Sequence, residues 1–292
     1  MANTRFCAPG DNQVLRYTAA ATYPRVINGL GAGTQYPSAP ALVEDAQYPM
    51  ANIHVPDRYT PWATPSGTTP ASFKLHVDLG SNLSVGLVAV LGFRMLGSST
   101  TPNVTFRYLL GNATSPTFGY STTGFASNVA GTVDLTGRRD AGLVVGPITA
   151  RYWEMEVAGS VGGYAFGGIY LGAIAQDLGL LYSPGMDERV IYPVMRGRTG
   201  GGHPSVMTVG DTRRLIRMPF ENVDDTIRTK LDILFGDGSR RDPAIWLDRA
   251  PVGLPTRPEV RQVILSDDSI SWRHNWDTPN LWSTELELEV LG

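Results

Sequence analysis

This sequence of 292 residues contains little lysine, little cysteine and little charge. Lys74 and Lys230 are its only lysines, so nearly all of its 24 cations are arginine. Arginine is favoured at protein–protein surfaces, although genomic base composition would give the same bias. Cys7 is the single cysteine, which excludes an intrachain disulfide and a cysteine-based zinc site. Charged residues make up 17% and the net charge is −3, which argues against a general nucleic-acid binder.

Long apolar runs and catalytic motifs are also missing. No apolar run reaches the ~20 residues that a membrane helix needs, and the start MANTRFCAPGDNQ lacks the pattern of a signal peptide. We therefore expect no membrane insertion, and synthesis in the cytoplasm without export. Neither lysine follows a glycine, which excludes a P-loop, and GLGAGT lacks the third glycine of a dinucleotide fingerprint. The four histidines are far apart, so we expect no cofactor and no metal site.

The first half of the chain has the pattern of antiparallel strands. Glycine and proline are abundant, at 33 and 21 residues, as in a protein with many turns. SFKLHVDLG and ARYWEMEVAG alternate apolar and polar residues with a period of two, which is typical of half-buried strands. The continuous apolar run VGLVAVLGF favours a central strand. We predict a sandwich of about eight strands over residues 45–176, preceded by an arm, residues 1–47, with a strand or two.

The second half predicts a smaller β domain over residues 180–292, with the element order β-β-β-α-β-β-β. Its helix is predicted at 222–235, with Asn222 as N-cap. Four apolar residues recur at helical spacing and form one stripe: Val223, Ile227, Leu231 and Leu234. Gly236 is placed to end the helix. The fold class is therefore mainly β with one α-helix.

The region 45–175 resembles galactose-binding-like sandwiches of the discoidin, coagulation factor 5/8 C-type, group. The residues that carry this resemblance are Tyr48, Pro49, Asn52, Ile53, Asp57, Trp62 and the strand end Asp78, Leu79, Gly80. Within that fold, Asn52 and Trp62 are expected to hold a corner of the scaffold more often than they contact a ligand. The opening stretch YPMANIHVPDRYTPWAT is therefore interpreted as such a corner.

The order of a sandwich followed by a small sheet-plus-helix domain is similar to tail proteins of long-tailed bacteriophages. By element order, residues 187–292 resemble the tail-tube-like fold of tube and distal-tail proteins. The resemblance implies a structural component of the virion tail or baseplate, made in the bacterial cytoplasm. It also implies a homo-oligomeric ring, trimeric or hexameric, which contacts other tail proteins and meets DNA only as passing cargo.

Three sets of residues are candidates for function under that resemblance. In TELELEV, Glu285, Glu287 and Glu289 share one strand face, and they either line a ring lumen or belong to an ordinary solvated face. The glycine-rich tip Gly200, Gly201 and Gly202 either reaches a neighbouring subunit or is a plain turn. Trp272, Trp276 and Trp282 are candidate inter-subunit contacts, although core packing also accounts for such residues.

Two other functions remain open at this point. The sandwich could be a carbohydrate-binding module for host attachment, with Arg58, Trp62 and Arg94 as candidate glycan contacts. A glycan hydrolase would need two carboxylates about 5–10 Å apart in a cleft. Glu154 and Glu156 are candidates, but two glutamates two residues apart on one strand are more simply a solvated edge. The sequence therefore predicts a protein that is not an enzyme.

Overall fold

The computed structural model describes residues 3–7, 25–30, 47–48, 52–53, 61–63, 72–95, 102–109, 128–158, 164–173, 176–178, 185–198, 204–208, 212–235, 243–250, 259–266, 270–275 and 280–291. Within this part of the chain the fold is mainly β with a single α-helix, which confirms the predicted class. The strands form two larger sheets and two small ones. We describe the fold as two units, each with its own core.

The first unit is a β-sandwich. The strands of the first 180 residues are β1 (Asn3–Cys7), β2 (Arg25–Leu30), β3 (Trp62–Ala63), β4 (Ser72–Leu91), β5 (Arg94–Met95), β6 (Asn103–Leu109), β7 (Val129–Asp134), β8 (Ala141–Ala158), β9 (Tyr164–Phe166), β10 (Gly168–Gly172) and β11 (Gln176–Asp177). The main sheet has the order β10-β4-β8-β6-β7, and β2 pairs with the first half of β4. A three-stranded sheet, β3-β9-β5, contributes to the same core.

The alternation in β4 and β8 gives the first half of β4, and the part of β8 that pairs with it, an apolar face towards the sandwich core. Leu75 and Val77 of β4, with Trp153 and Met155 of β8, are all buried in the sandwich core. The two strands pair along most of their length, from Ser72↔Ala158 to Val90↔Ala141, with two register shifts. Burial of side chains of this size contributes about 1.5–3 kcal/mol each.

The second unit is a sheet covered by the helix. Its elements are β12 (Asp187–Ile191), β13 (Val194–Arg198), β14 (Pro204–Thr208), β15 (Arg213–Val223), α1 (Asp225–Phe235), β16 (Ala244–Ala250), β17 (Glu259–Leu265), β18 (Arg273–His274) and β19 (Trp282–Val290). The sheet order is β11-β1-β16-β17-β19-β15-β12, with β18 on β19, while β13 and β14 form a separate hairpin. Its core includes Ile227, Leu231 and Leu234 of α1, so the predicted apolar stripe is confirmed.

The start of α1 differs from the prediction. The N–H of Ile227 donates to Asp224 Oδ1 at 2.9 Å, so Asp224 is the N-cap. Asn222, the predicted N-cap, lies two residues earlier, has a positive φ of 55° and accepts a hydrogen bond from Asn275. The helix therefore spans Asp225–Phe235 rather than 222–235.

The two units share a third apolar cluster. It joins Leu87, Ala89, Leu91, Val144 and Tyr170 of the sandwich to Ile245, Leu247 and Val260 of the second unit. Gly142 permits this close approach, because a β-carbon added there would lie 2.8 Å from Val260 Cγ2 and 3.2 Å from the Val88 carbonyl oxygen. Two flat strand faces therefore pack directly on each other at this point.

The predicted arm, residues 1–47, is divided between the units. β1 pairs with β16 and β11 in the second sheet, whereas β2 pairs with β4 in the sandwich. β11 follows the sandwich in sequence but also belongs to the second sheet. The predicted limits of the domains at 45–176 and 180–292 stay predictions.

Candidate functional site

The three-stranded sheet carries an exposed arginine on one edge strand and borders an exposed tyrosine at its other edge. Arg94 and Ala63 both lie opposite Ala165 in the three-stranded sheet. The N–H of Ala63 donates to the carbonyl oxygen of Tyr48 at 3.2 Å, which extends the same surface by one more segment. Arg94 is exposed and Tyr48 is 40% exposed. The two edges of this small sheet therefore present a cation with five hydrogen-bond donors and an aromatic ring.

Trp62 does not belong to that exposed surface, which corrects its assignment as a glycan contact. Its side chain is fully buried and stacks on Phe166, with ring centroids 5.5 Å apart and an interplanar angle of 13°. Asn52 Nδ2 donates to the carbonyl oxygen of Pro61 at 3.0 Å, directly before Trp62. These contacts support the scaffold-corner interpretation. Arg58, the third predicted contact, lies outside the described residues.

A buried ion pair lies on the face of the main sheet that points away from the sandwich core. Glu154 is 1% exposed, so the pair Glu154 and Glu156 is not the solvated edge that the sequence suggested. Arg107 Nη1 donates to Glu154 Oε1 at 3.0 Å and also to Glu156 Oε2. Burial acts to lower the pKa of Arg107, but the hydrogen bond and charge of Glu156, with the charge of Glu154, raise it above its usual range. One cation therefore binds both carboxylates, an arrangement that favours a structural role over acid–base chemistry.

The predicted acidic row on β19 is paired with arginines of β15. Arg217 Nε lies 2.7 Å from Glu287 and 3.7 Å from Glu285, and Arg213 Nε lies 3.7 Å from Glu289. The hydrogen bond to Glu287, followed by its charge, raises the pKa of Arg217. Three carboxylates and two guanidinium groups leave one net negative charge, so this face repels a polyanion less than the sequence suggested. Its place in a ring lumen stays a prediction.

Two of the three predicted contact tryptophans hold the helix. Trp272 Nε1 donates to Asp232 at 2.9 Å, and Trp282 Nε1 donates to Asp225 at 2.7 Å. The guanidinium of Arg228 lies 3.9 Å from the ring centroid of Trp282, a cation–π contact. Both rings are partly buried, so their main contacts are within the chain. Trp276 and Gly200–Gly202 lie outside the described residues.

The hairpin β13–β14 carries an apolar surface that sequence analysis missed. Met195 and Met207 lie directly opposite each other and are 63% and 66% exposed. Tyr192 and Val190, which precede the hairpin, are also exposed. Exposed apolar residues grouped in this way mark interaction surfaces. The glycine-rich tip predicts a hairpin, but the register that places two methionines opposite each other cannot be read from the sequence alone.

Other kinds of site have no support in the described part of the chain. Its histidine, cysteine, aspartate and glutamate residues form no group of three or more that could hold a metal ion. No helix there is both long and apolar enough to cross a membrane.

Comparisons with known proteins give similarities to solved structures alone. No protein-family model matches the chain, and no curated protein matches it. A Ruminococcus gnavus GH29 fucosidase in complex with fucose is 17% identical, with a TM-score of 0.39; the match covers 58% of this chain and 28% of the fucosidase. The family 32 CBM of C. perfringens NanJ in complex with galactose is 14% identical, with a TM-score of 0.38 and coverage of 57% and 98%. A Streptococcus pneumoniae fucose-binding module is 6% identical, with a TM-score of 0.36 and coverage of 56% and 97%. This chain therefore spans less than a third of the fucosidase, and similarities at this level do not identify a ligand or an activity.

Proposed function

We propose that the chain is a non-enzymatic binding protein whose sandwich recognises a carbohydrate. The observation that carries this proposal is the pair of exposed side chains, Arg94 and Tyr48, at the two edges of the three-stranded sheet. An exposed tyrosine presents an apolar ring face with a polar tip, and the arginine fork supplies several hydrogen-bond donors for hydroxyl or carboxylate oxygens. The strands beneath them are fixed by the Trp62–Phe166 stack, so both side chains project from a rigid base.

Galactose and fucose, immobilised on beads and titrated free in solution, are the first probes because the similar solved structures carry those sugars. We expect Arg94→Ala and Tyr48→Ala each to weaken binding by tenfold or more, as expected for the loss of a main contact. Arg189→Ala, an exposed arginine on β12, is the matched control and should bind as the unaltered protein does. If neither these sugars nor a wider glycan panel binds, or if both variants bind normally, the proposal is wrong.

A second function is favoured by the β13–β14 hairpin. We infer that the chain also assembles through protein–protein contacts, as a structural component of a bacteriophage tail or baseplate would. An isolated two-stranded hairpin is marginally stable in water, and here its paired methionines are exposed. A ring of three or six copies that covers Met195 and Met207 would remove them from water. The virion location and the partner tail proteins are part of this proposal and derive from the resemblance in the sequence.

Light scattering and negative-stain images of the purified protein test assembly. We expect ring-shaped oligomers, and we expect the double variant Met195→Ser, Met207→Ser to need at least tenfold more protein to assemble. Ile233→Ser is the matched control, since Ile233 is an equally exposed apolar residue on α1. A protein that stays monomeric at every concentration, or a double variant that assembles normally, would contradict self-assembly through this hairpin.

A further inference from the structure

A cleft of about 730 Å³ lies between the two units. One wall is the turn Gly137–Asp140, between β7 and β8 of the sandwich. The other wall is the end of the second sheet, where β15 and β17 begin and β19 ends. Clefts of 300–1,000 Å³ accommodate small molecules, and junctions between structural units are common places for them.

The sandwich wall presents two arginines from a rigid turn. Asp134 Oδ1 accepts hydrogen bonds from the N–H and the hydroxyl of Thr136, and these bonds lower the pKa of Asp134. Gly137 has a φ of 65°, which glycine adopts without strain, and the N–H of Arg138 closes the turn on Leu135. After the turn, the carbonyl oxygen of Arg139 accepts the N–H of Phe93 at 2.7 Å. The backbone of Arg138 and Arg139 is therefore held before any ligand binds.

Asp140, the carboxylate that follows these two arginines, binds the backbone of the neighbouring segment. Its Oδ1 accepts the N–H of Gly92 at 2.8 Å, which ties the end of the turn to β4. The charge of Arg138 also helps to lower the pKa of Asp134, so Asp134 partly offsets this arginine, and both arginine side chains are exposed. Two adjacent, exposed guanidinium groups on one rigid turn attract an anion.

The opposite wall adds two further arginines. Arg261 is held by Glu259 at 2.8 Å and by Glu188 at 3.1 Å, so its position is fixed. Arg214 is 59% exposed and makes a longer contact with Glu188, at 3.4 Å. The lining contains four arginines and two carboxylates, Asp140 and Glu259, and Glu188 contacts two of the arginines, so four positive and three negative charges leave a net charge of +1. Arg214 is therefore the arginine of this wall that can turn to a ligand at least cost.

We propose that this cleft binds a small molecule that carries an oxyanion group, with Arg138 and Arg139 as direct contacts and Arg214 reaching it from the second unit. Arginine forks bind phosphate, sulfate and carboxylate groups with paired hydrogen bonds, which is why a site built from arginine selects an oxyanion. Such a ligand bridges the two units. Binding at this cleft is independent of the glycan proposal, since it uses other side chains.

Inorganic pyrophosphate is the probe, titrated by calorimetry into the full chain at constant ionic strength. We expect saturable binding by the unaltered protein, and the double variant Arg138→Ala, Arg139→Ala should weaken it at least tenfold. Arg214→Ala should weaken it severalfold. Arg213→Ala is the matched control: it lies next to Arg214 on β15, is 65% exposed and pairs with Glu289 on another strand.

Three results would overturn the proposal. The first is an unaltered protein that binds no pyrophosphate, and the second is a double variant that binds it as well as the unaltered protein. The third concerns the control. If Arg213→Ala reduces binding as much as Arg214→Ala, the attraction is a property of the whole basic surface and the cleft is not a site. The pyrophosphate titrations contain no sugar, so their results do not depend on the outcome of the galactose and fucose titrations.

Discussion

Replacing Trp62 by alanine should lower the free energy of unfolding by about 3–5 kcal/mol, the usual cost of removing a large buried aromatic side chain. Trp62 is fully buried, and its ring stacks on Phe166 within a cluster that includes Phe93 and Tyr164. The variant therefore leaves a large cavity in the sandwich core beneath the edge strand β3. Urea unfolding followed by circular dichroism measures the loss.

Tyr48→Ala is the control for that experiment, because Tyr48 is an exposed aromatic residue in the neighbouring segment. Its stability should change by no more than about 0.5 kcal/mol, as for most surface substitutions. A Trp62→Ala variant that unfolds within about 1 kcal/mol of the unaltered protein would mean that Trp62 is not a core residue. It would also restore Trp62 as a candidate glycan contact.

Arg107→Met should lower the free energy of unfolding by about 3 kcal/mol at neutral pH, because it removes the cation that binds a buried carboxylate. Glu154 is 1% exposed, whereas Glu156 is partly exposed and retains contact with water. A protonated carboxyl group needs no cation, so the loss should become smaller at a pH low enough to protonate carboxylates. Denaturant unfolding at several pH values measures this dependence.

The double variant Arg107→Met, Glu154→Leu completes the test. It replaces the buried pair with apolar side chains of similar size, so it should recover most of the stability that Arg107→Met loses. If the loss is the same at all pH values, or if the double variant is less stable than Arg107→Met, the buried charge is not the cause.

Alternation and helical spacing predicted the parts of the fold that local sequence determines. The apolar faces of β4 and β8 and the buried stripe of α1 follow from periods of 2 and 3.6 residues. The predicted N-cap was wrong because of a contact between residues that are distant in sequence. Asn222 is held at positive φ and bonded to Asn275, 53 residues later, so the helix begins after Asp224 instead.

The candidate sites were less predictable, because each depends on residues that are distant in sequence. The pattern placed Glu154 on the polar side of β8, but it could not show that Arg107, 47 residues earlier, binds it in a buried position. Likewise, the two walls of the arginine-lined cleft come from residues 137–140 and from the last third of the chain. Composition showed the bias towards arginine, whereas the tertiary fold decided which arginines lie together.

The order of strands in the second sheet makes the sandwich an insertion. β1 and β11 are adjacent strands, with Arg5 opposite Asp177 and Phe6 opposite Gln176, and the whole sandwich is encoded between them. During synthesis, more than two hundred residues therefore follow β1 before β16, its other partner, leaves the ribosome. The chain leaves the second sheet after β1 and returns to it at β11, and these two strands are neighbours. A short loop from Cys7 to Gln176 could therefore replace the sandwich and leave the second sheet with the same strand neighbours.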